Sequence, residues 1–247
     1  MSFSNDERER YARHILLKEI GGPGQQKLKA ATIAVVGAGG LGAPAALYLA
    51  AAGVGRLRLI DDDSVSLDNL QRQIIFRSAD VGESKVERAQ SVLAALNDNV
   101  TVEIERQRLT EANAAYLLGN ANVVLDGTDD FDTRFAVNAA ARALNTPLVS
   151  GAVGRWDGQV SVFAQGGPCY RCFVPETPPD AETCARVGVV GALTGVIGSL
   201  MALEAIKLIT RAGAPLIGRV MLFDGLKGNA RTVTLKRDPA CPVCGHE

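Results

Sequence analysis

Four of the five cysteines stand in two hooks, Cys169-Tyr-Arg-Cys172 and Cys241-Pro-Val-Cys244. Paired Cys-x-x-Cys hooks are the ligand set of a tetrahedral zinc, and four protein thiolates leave no open position for water. The ion they would hold is structural, tying the chain around Cys241 to the loop around Cys169. A single pair could be redox-active, but two pairs outside a thioredoxin-like context favour zinc. Cys184, in AETCARVGVVG, is left without a partner. It would be either an acyl-accepting nucleophile or an inert small side chain, and Arg171 and Arg186 would activate it only if the fold brought them close.

A second constellation suits phosphate chemistry. The stretch TIAVVGAGGLG, residues 32–42, is a β-branched run followed by Gly37, Gly39 and Gly42. Gly-x-Gly-x-x-Gly between a strand and a helix lets backbone N–H groups crowd a phosphate at the helix N-terminus. The next apolar run ends in Asp61, at the distance of about 20 residues where such folds place an acid on ribose hydroxyls. A tight turn without a ligand is the competing reading; strand, helix and acid together argue for a nucleotide. Beyond Asp61 comes DDDSVSLDNLQRQIIF, a dense polar loop that hangs Asn69, Gln71, Arg72 and Gln73 over that nucleotide. Lys85 falls in the first turn of the next helix, where a cation opposes the helix dipole. A phosphate ligand would explain it, as would ordinary surface placement. Farther on, Asp129 and Asp130 follow an apolar run, and oxygen ligands beside phosphates suit Mg²⁺. Asp130 also fits a helix N-cap, so metal contact is assigned to Asp129 and capping to Asp130.

The elements that must hold these residues are legible as alternating strands and helices. Helices are expected over residues 3–20, ended by Gly21, Gly22 and Pro23, and over 25–30. Strands follow from residue 32, at 56–60, 100–104 and 122–125, with helices from 43, at 83–96, 111–118 and 131–144. Residues 147–150, a turn flanked by Gly154 and Gly158, a strand at 159–164 and a hairpin at 219–235 suggest added antiparallel strands. Residues 168–181, with four prolines, read as a crossing loop, and 191–210 as the last long helix. The expected fold is α/β and Rossmann-like: a mainly parallel sheet with antiparallel additions, N-terminal helices and a zinc knuckle. One domain spans 1–247, with helices at 1–30, a nucleotide-binding core at 31–164 and the loop, zinc site and last strands at 165–247.

Composition narrows the class. At 247 residues, 47% hydrophobic but only 5% aromatic, the interior is built from Ala, Val, Leu and Ile, as in helix-covered parallel sheets. A net charge of −1 argues against nucleic acid as the main partner. The charged start MSFSNDERERYAR lacks the apolar segment of a secretory signal, which points to the cytoplasm. The apolar stretch 187–203 is rich in small residues and reads as a buried or interface helix, not a membrane span.

Taken together, GAGGLG at 37–42, DDD at 61–63, DNLQRQ at 68–73, Lys85, GTDD at 127–130, the two hooks and GVIGSLMALEAIKL at 195–208 resemble the MoeB/ThiF family of activating enzymes. The resemblance covers nearly the whole chain. It implies ATP bound with Gly40 and Asp61 near the adenosine, Asp68, Asn69, Leu70, Gln71 and Arg72 along the phosphates, and Lys85, Asp129 and Asp130 at the reacting end. It also implies a homodimer in which Arg13, otherwise a solvated helix charge, reaches into the neighbour's site. The implied reaction turns the C-terminal glycine carboxylate of a small ubiquitin-fold sulfur carrier ending in Gly-Gly into an acyl adenylate, with sulfur supplied by a separate donor protein. The family usually carries Asn where Asp130 stands here.

SGAVGRWDGQVSVF at 150–163 resembles the molybdopterin-synthase branch, whereas TCARVGVVG at 183–191 resembles the thiamine branch, in which the corresponding cysteine bonds covalently to the carrier. The molybdopterin-type carrier is preferred, with the thiamine carrier and a covalent role for Cys184 as the alternative. Two other classes compete: a nicotinamide dehydrogenase, which would leave Lys85 and the aspartate pair unused, and a non-catalytic adapter that binds the carrier without turnover.

Overall fold

The computed structural model describes residues 3–178 and 188–245. Cys184 and Arg186 lie outside the described residues. Eight strands form one sheet in the order β3-β2-β1-β4-β5-β6-β7-β8. β1 (Thr32–Val36), β2 (Arg56–Ile60), β3 (Thr101–Glu105), β4 (Val123–Asp126) and β5 (Leu148–Gly154) are parallel, while β6 (Asp157–Phe163), β7 (Arg219–Asp224) and β8 (Asn229–Thr234) continue the sheet antiparallel. The chain runs outward from β1 through β2 to β3, then returns to lay β4 on the other side of β1. That reversal opens a crevice at the carboxyl ends of β1 and β4, where open α/β sheets bind ligands.

The apolar run of β1 is continuous because both faces are covered. Ile33 and Val35 join a core beneath α4 (Gly42–Ala51), α5 (Lys85–Leu96) and a long helix, α9 (Gly191–Thr210), whereas Ala34 and Val36 join a second core beneath α6 (Ala114–Leu118) and α7 (Phe131–Ala143). Two glycines let α9 lie close on the sheet. A Cβ at Gly151 would stand 2.4 Å from Met201 Sδ, and one at Gly158 would stand 2.5 Å from Ile197 Cγ1. Long and apolar enough to cross a membrane by length and composition, α9 is instead packed on β5, β6 and α4.

Several elements depart from the sequence expectation. The helix expected over 3–20 breaks into α1 (Asn5–Arg10) and α2 (Ala12–Ile15) at Tyr11. That ring is buried against Gly53, and its hydroxyl accepts from Asn97 Nδ2 at 2.9 Å, a tertiary demand that overrides helical continuity. Gly21, Gly22 and Pro23 open α3 (Gly21–Ala30) rather than closing a helix. Proline is tolerated in a first turn because the N–H it lacks would have no intrahelical partner. β5 runs on to Gly154, and only Arg155 and Trp156 separate it from β6, with Arg155 at φ +50°. The crossing loop contains a short helix, α8 (Tyr170–Phe173), which carries Cys172 and begins one residue after Cys169.

Candidate active site

The crevice is built on the turn from β1 to α4. Gly37 sits at φ +86°, and a Cβ on Gly42 would lie 1.8 Å from the carbonyl oxygen of Gly37, so only glycine permits this closure. Among the described residues no side chain caps the first turn of α4; the Ala43 N–H donates to the Gly39 carbonyl at 2.9 Å, closing the turn on itself, and Pro44 has no N–H to satisfy. Asp61, at the end of β2, grips the turn: Oδ2 accepts the Ala38 N–H at 2.7 Å, and Oδ1 accepts the Asp63 N–H at 2.8 Å. Burial raises the Asp61 carboxyl above its ordinary range, although Lys85 opposes the rise.

Around this turn lies a cleft of about 790 Å³, lined by Gly40, Asp61, Asp68, Asn69, Arg72 and Lys85 on one side and by Asp129, Asp130, Arg108 and Arg134 on the other. Lys85 is only 6% exposed in its side chain, and its Nζ lies 2.7 Å from Asp63 Oδ2. Arg72 folds back on its own turn, donating from Nη1 to the Asp68 carbonyl at 3.0 Å, while its carbonyl accepts from Thr194 Oγ1 of α9 at 3.4 Å. Gln73 is buried beside Gly39, and among the described residues its Oε1 has no hydrogen-bond partner. Such a buried orphan acceptor on a cleft wall fits a site shaped for a polar ligand. The glycine cradle and this orphan together fit a nucleotide.

Opposite, Asp130 caps α7 by accepting the Thr133 N–H at 2.9 Å and pairs with Arg108 at 3.3 Å. Asp129 is exposed to the cleft, and among the described residues its carboxylate has no hydrogen bond or ion pair. That leaves its oxygens open to a divalent cation. Behind it, Asp126 and Arg134 are almost fully buried. Burial works against the charge on Arg134, but the Asp126 carboxylate and Tyr170 leave its pKa above the ordinary arginine value.

Two residues assigned to the nucleotide, Leu70 and Gln71, do not line the cleft. Leu70 is partly buried and packs against the core, and Gln71 lies against Gly191 at the start of α9, because the short turn leaves Asn69 and Arg72, and not the residues between them, on the cleft. Arg13 is exposed on α2 and does not line the cleft of its own chain. Conversely, sequence reasoning missed Asp63, Arg108, Arg134 and Tyr170. Arg134 did leave a signal: it and Asn138 are polar positions four apart on the buried face of α7.

The four hook cysteines meet. Their sulfurs lie within 4.8 Å of one another, with Cys169 to Cys241 at 3.6 Å and Cys172 to Cys244 at 3.3 Å. A tetrahedral zinc with bonds of about 2.3 Å needs sulfurs about 3.8 Å apart, so the set fits. Burial raises the Cys241 thiol, but the N–H groups of Cys244 and Val243 outweigh it and bring it down to about 7. Burial pushes Cys169 and Cys244 up, the neighbouring sulfurs adding to the rise at Cys244. Four thiols this close cannot ionise together without a cation, which is the electrostatic case for the ion. The Asp238 N–H points at Cys172 Sγ at 3.4 Å and the Asn138 amide at Cys169 Sγ at 3.7 Å, donors that suit thiolates.

A doubly wound sheet with a glycine cradle at its switch point and an acid just past the neighbouring strand defines a Rossmann-type nucleotide-binding protein, here with a remote four-cysteine cluster that could hold a metal ion. The chain belongs to the ThiF family, whose model matches residues 11–243. It is 46% identical over 255 aligned positions to a sulfur carrier protein adenylyltransferase of Thermus thermophilus, covering all of this chain and 94% of that protein. It is 49% identical to the adenylyltransferase and sulfurtransferase MOCS3 of Anopheles gambiae, covering 98% of this chain but 56% of that protein's length. A crystal structure of E. coli MccB with MccA-N7isoASN shares the fold, with a TM-score of 0.86 at 23% identity, over 99% of this chain and 76% of that one.

Proposed function

We propose that the cleft adenylates the C-terminal glycine carboxylate of a small ubiquitin-fold sulfur carrier, of the molybdopterin-synthase small-subunit type, using ATP and releasing pyrophosphate. The ThiF family and the named activity of the Thermus relative support the adenylyltransferase class. The observation that carries the reading is a buried Lys85 lining the same cleft as the glycine cradle and as Asp129, whose carboxylate has no hydrogen bond or ion pair among the described residues. A dehydrogenase would leave Lys85 and the Asp129 and Asp130 pair without a role, and the histidine among the described residues, His14, is turned to Gln25 at 3.1 Å.

The chemistry asks for charge neutralisation. The carboxylate oxygen of the carrier's terminal glycine attacks the α-phosphorus of ATP; a bond from that oxygen to phosphorus forms, the bond from phosphorus to the bridging α,β-oxygen breaks, and its electron pair leaves on pyrophosphate. The nucleophile is already ionised at neutral pH, so no general base is required. Two anions must approach, and positive groups placed where charge develops supply most of the acceleration. In this proposal Lys85 leaves Asp63 for the phosphates, Arg72 unfolds from the Asp68 carbonyl toward them, and Asp61 accepts ribose hydroxyls. The cleft lining carries six aspartates, Asp61, Asp62, Asp63, Asp68, Asp129 and Asp130, against Arg72, Lys85, Arg108 and Arg134. That excess of negative charge favours two further cations. One is Mg²⁺ held by Asp129, which when bound would neutralise the leaving pyrophosphate. The other is Arg13 from a second copy, since the exposed α2 does not bring it to its own cleft.

The test is ATP–pyrophosphate exchange with purified carriers ending in Gly-Gly. Exchange that depends on a carrier, and disappears when its last glycine is removed, is expected. Carrier binding without exchange would identify an adapter instead and overturn the reading.

A further inference from the structure

The path from Asp129 to the cysteine knuckle is continuous. Thr128, immediately before Asp129, has each of its polar backbone and side-chain groups held. Its N–H and Oγ1 donate to Asp126 Oδ1 at 3.1 and 2.7 Å, and its carbonyl accepts from Arg134 Nη2. Arg134 is itself fixed: Nη2 also donates to the Gly151 carbonyl at 2.8 Å, Nη1 donates to Ser150 Oγ at 3.4 Å, and Ser150 Oγ donates to Asp126 Oδ2 at 3.3 Å. A planar guanidinium can satisfy such a fork; a lysine ammonium, one charge on a flexible stem, cannot reach the same partners together. Tyr170 covers the far side, its ring centroid 5.9 Å from the guanidinium carbon. The Tyr170 N–H donates to Asn138 Oδ1 at 2.8 Å, and the Asn138 amide donates to Cys169 Sγ at 3.7 Å. Arg134 and Asn138, one turn apart on α7, thus connect the loop that bears Asp129 to the hook that bears Cys169.

We infer that Arg134 is a positioning residue: by holding the Thr128 carbonyl it aims the Asp129 carboxylate at the divalent cation of the nucleotide, and Asn138 and Tyr170 brace it against the four-cysteine site. This rests on the adenylation reading for the presence of that cation. The knuckle then contributes to the cleft through rigidity, not through chemistry of its own. Residues that orient a metal ligand without touching the metal cost about 10- to 100-fold in affinity when changed.

The experiment uses the zinc-loaded full chain, with Mn²⁺ as the spectroscopic probe and ATP present without carrier. Electron paramagnetic resonance gives the Mn²⁺ dissociation constant, and calorimetry gives that of ATP in divalent-free buffer. Arg134→Lys is expected to weaken Mn²⁺ by about tenfold or more, while ATP alone binds within about threefold of the wild type because its glycine cradle is untouched. Asn138→Leu, of similar volume, is expected to keep its zinc by elemental analysis yet weaken Mn²⁺ by at least about threefold. If Arg134→Lys does not fold, Ser150→Ala removes one of its partners and carries the same threefold expectation. Mn²⁺ affinity changed by less than about threefold in the arginine or serine variant overturns the positioning role. The same result confined to Asn138→Leu overturns the link to the cysteines. Wild-type protein that binds neither ATP nor Mn²⁺ would instead refute the adenylation reading itself.

Discussion

Replacing Lys85 by Met separates the site's chemistry from its stability. The side chain is 6% exposed and its partner Asp63 is 65% exposed. Methionine keeps the aliphatic stem packed in the same slot and removes the buried member of the pair, leaving a carboxylate that water can solvate. The usual penalty for breaking a buried ion pair arises from the charge left behind in low dielectric; Asp63 is solvated, and the buried Asp61 carboxylate that Lys85 also favours keeps its Ala38 and Asp63 N–H donors. A pair with one mostly exposed partner contributes about 0–1 kcal/mol, so the unfolding midpoint should move by no more than about 4 °C. Against a phosphate oxygen about 4 Å away at an effective dielectric near 20, the ammonium is worth about 4 kcal/mol. Giving up Asp63 first costs up to about 1 kcal/mol, leaving about 3 kcal/mol for the transition state. At 1.36 kcal/mol per decade that is a loss of about 100-fold or more in carrier-dependent exchange. The assay pairs radiolabelled pyrophosphate exchange with thermal unfolding of the same preparation. Exchange within about tenfold of the wild type would refute the phosphate role, and a midpoint lowered by more than about 10 °C would refute the account of the slot.

Other perturbations probe separate parts of the molecule. Gly42→Ala places a methyl 1.8 Å from the Gly37 carbonyl oxygen. It should destabilise by at least about 2 kcal/mol and abolish the upward shift of the unfolding midpoint by ATP, read by differential scanning fluorimetry. Cys241→Ser opens the sulfur cluster. Structural zinc sites contribute about 10 kcal/mol, so the variant should lose zinc by elemental analysis and drop in midpoint by on the order of 20 °C. Glu7, held by Lys29 at 2.6 Å, has its carboxyl lowered chiefly by that hydrogen bond, with burial opposing. A depressed carboxylate stabilises above its unfolded value of 4.5 and loses that contribution as pH falls through the folded one. The midpoint difference between wild type and Glu7→Gln should therefore be full near neutrality and shrink below pH 4.5 in a pH series of thermal melts.

What the sequence decided by itself is local. A β-branched run followed by spaced glycines can only be a strand entering a tight turn, because steric limits on φ act within a few residues, and Gly37 at φ +86° is that limit met. Asp130 three residues before the Thr133 N–H is likewise a short-range cap. The cysteine hooks announced a ligand set because each pair's spacing fixes its own geometry. The tertiary structure decided direction. Periodicity does not say that Tyr11 must turn inward and break a helix, that Leu70 and Gln71 face away while Arg72 faces the cleft, or that Lys85 rests on Asp63. Nor does it place Arg134 and Tyr170, from two separate helices, behind Asp129. Those orientations follow from which surfaces the sheet order brings together and which buried polar atoms must then find partners, and no window of sequence contains both sides of such a contact.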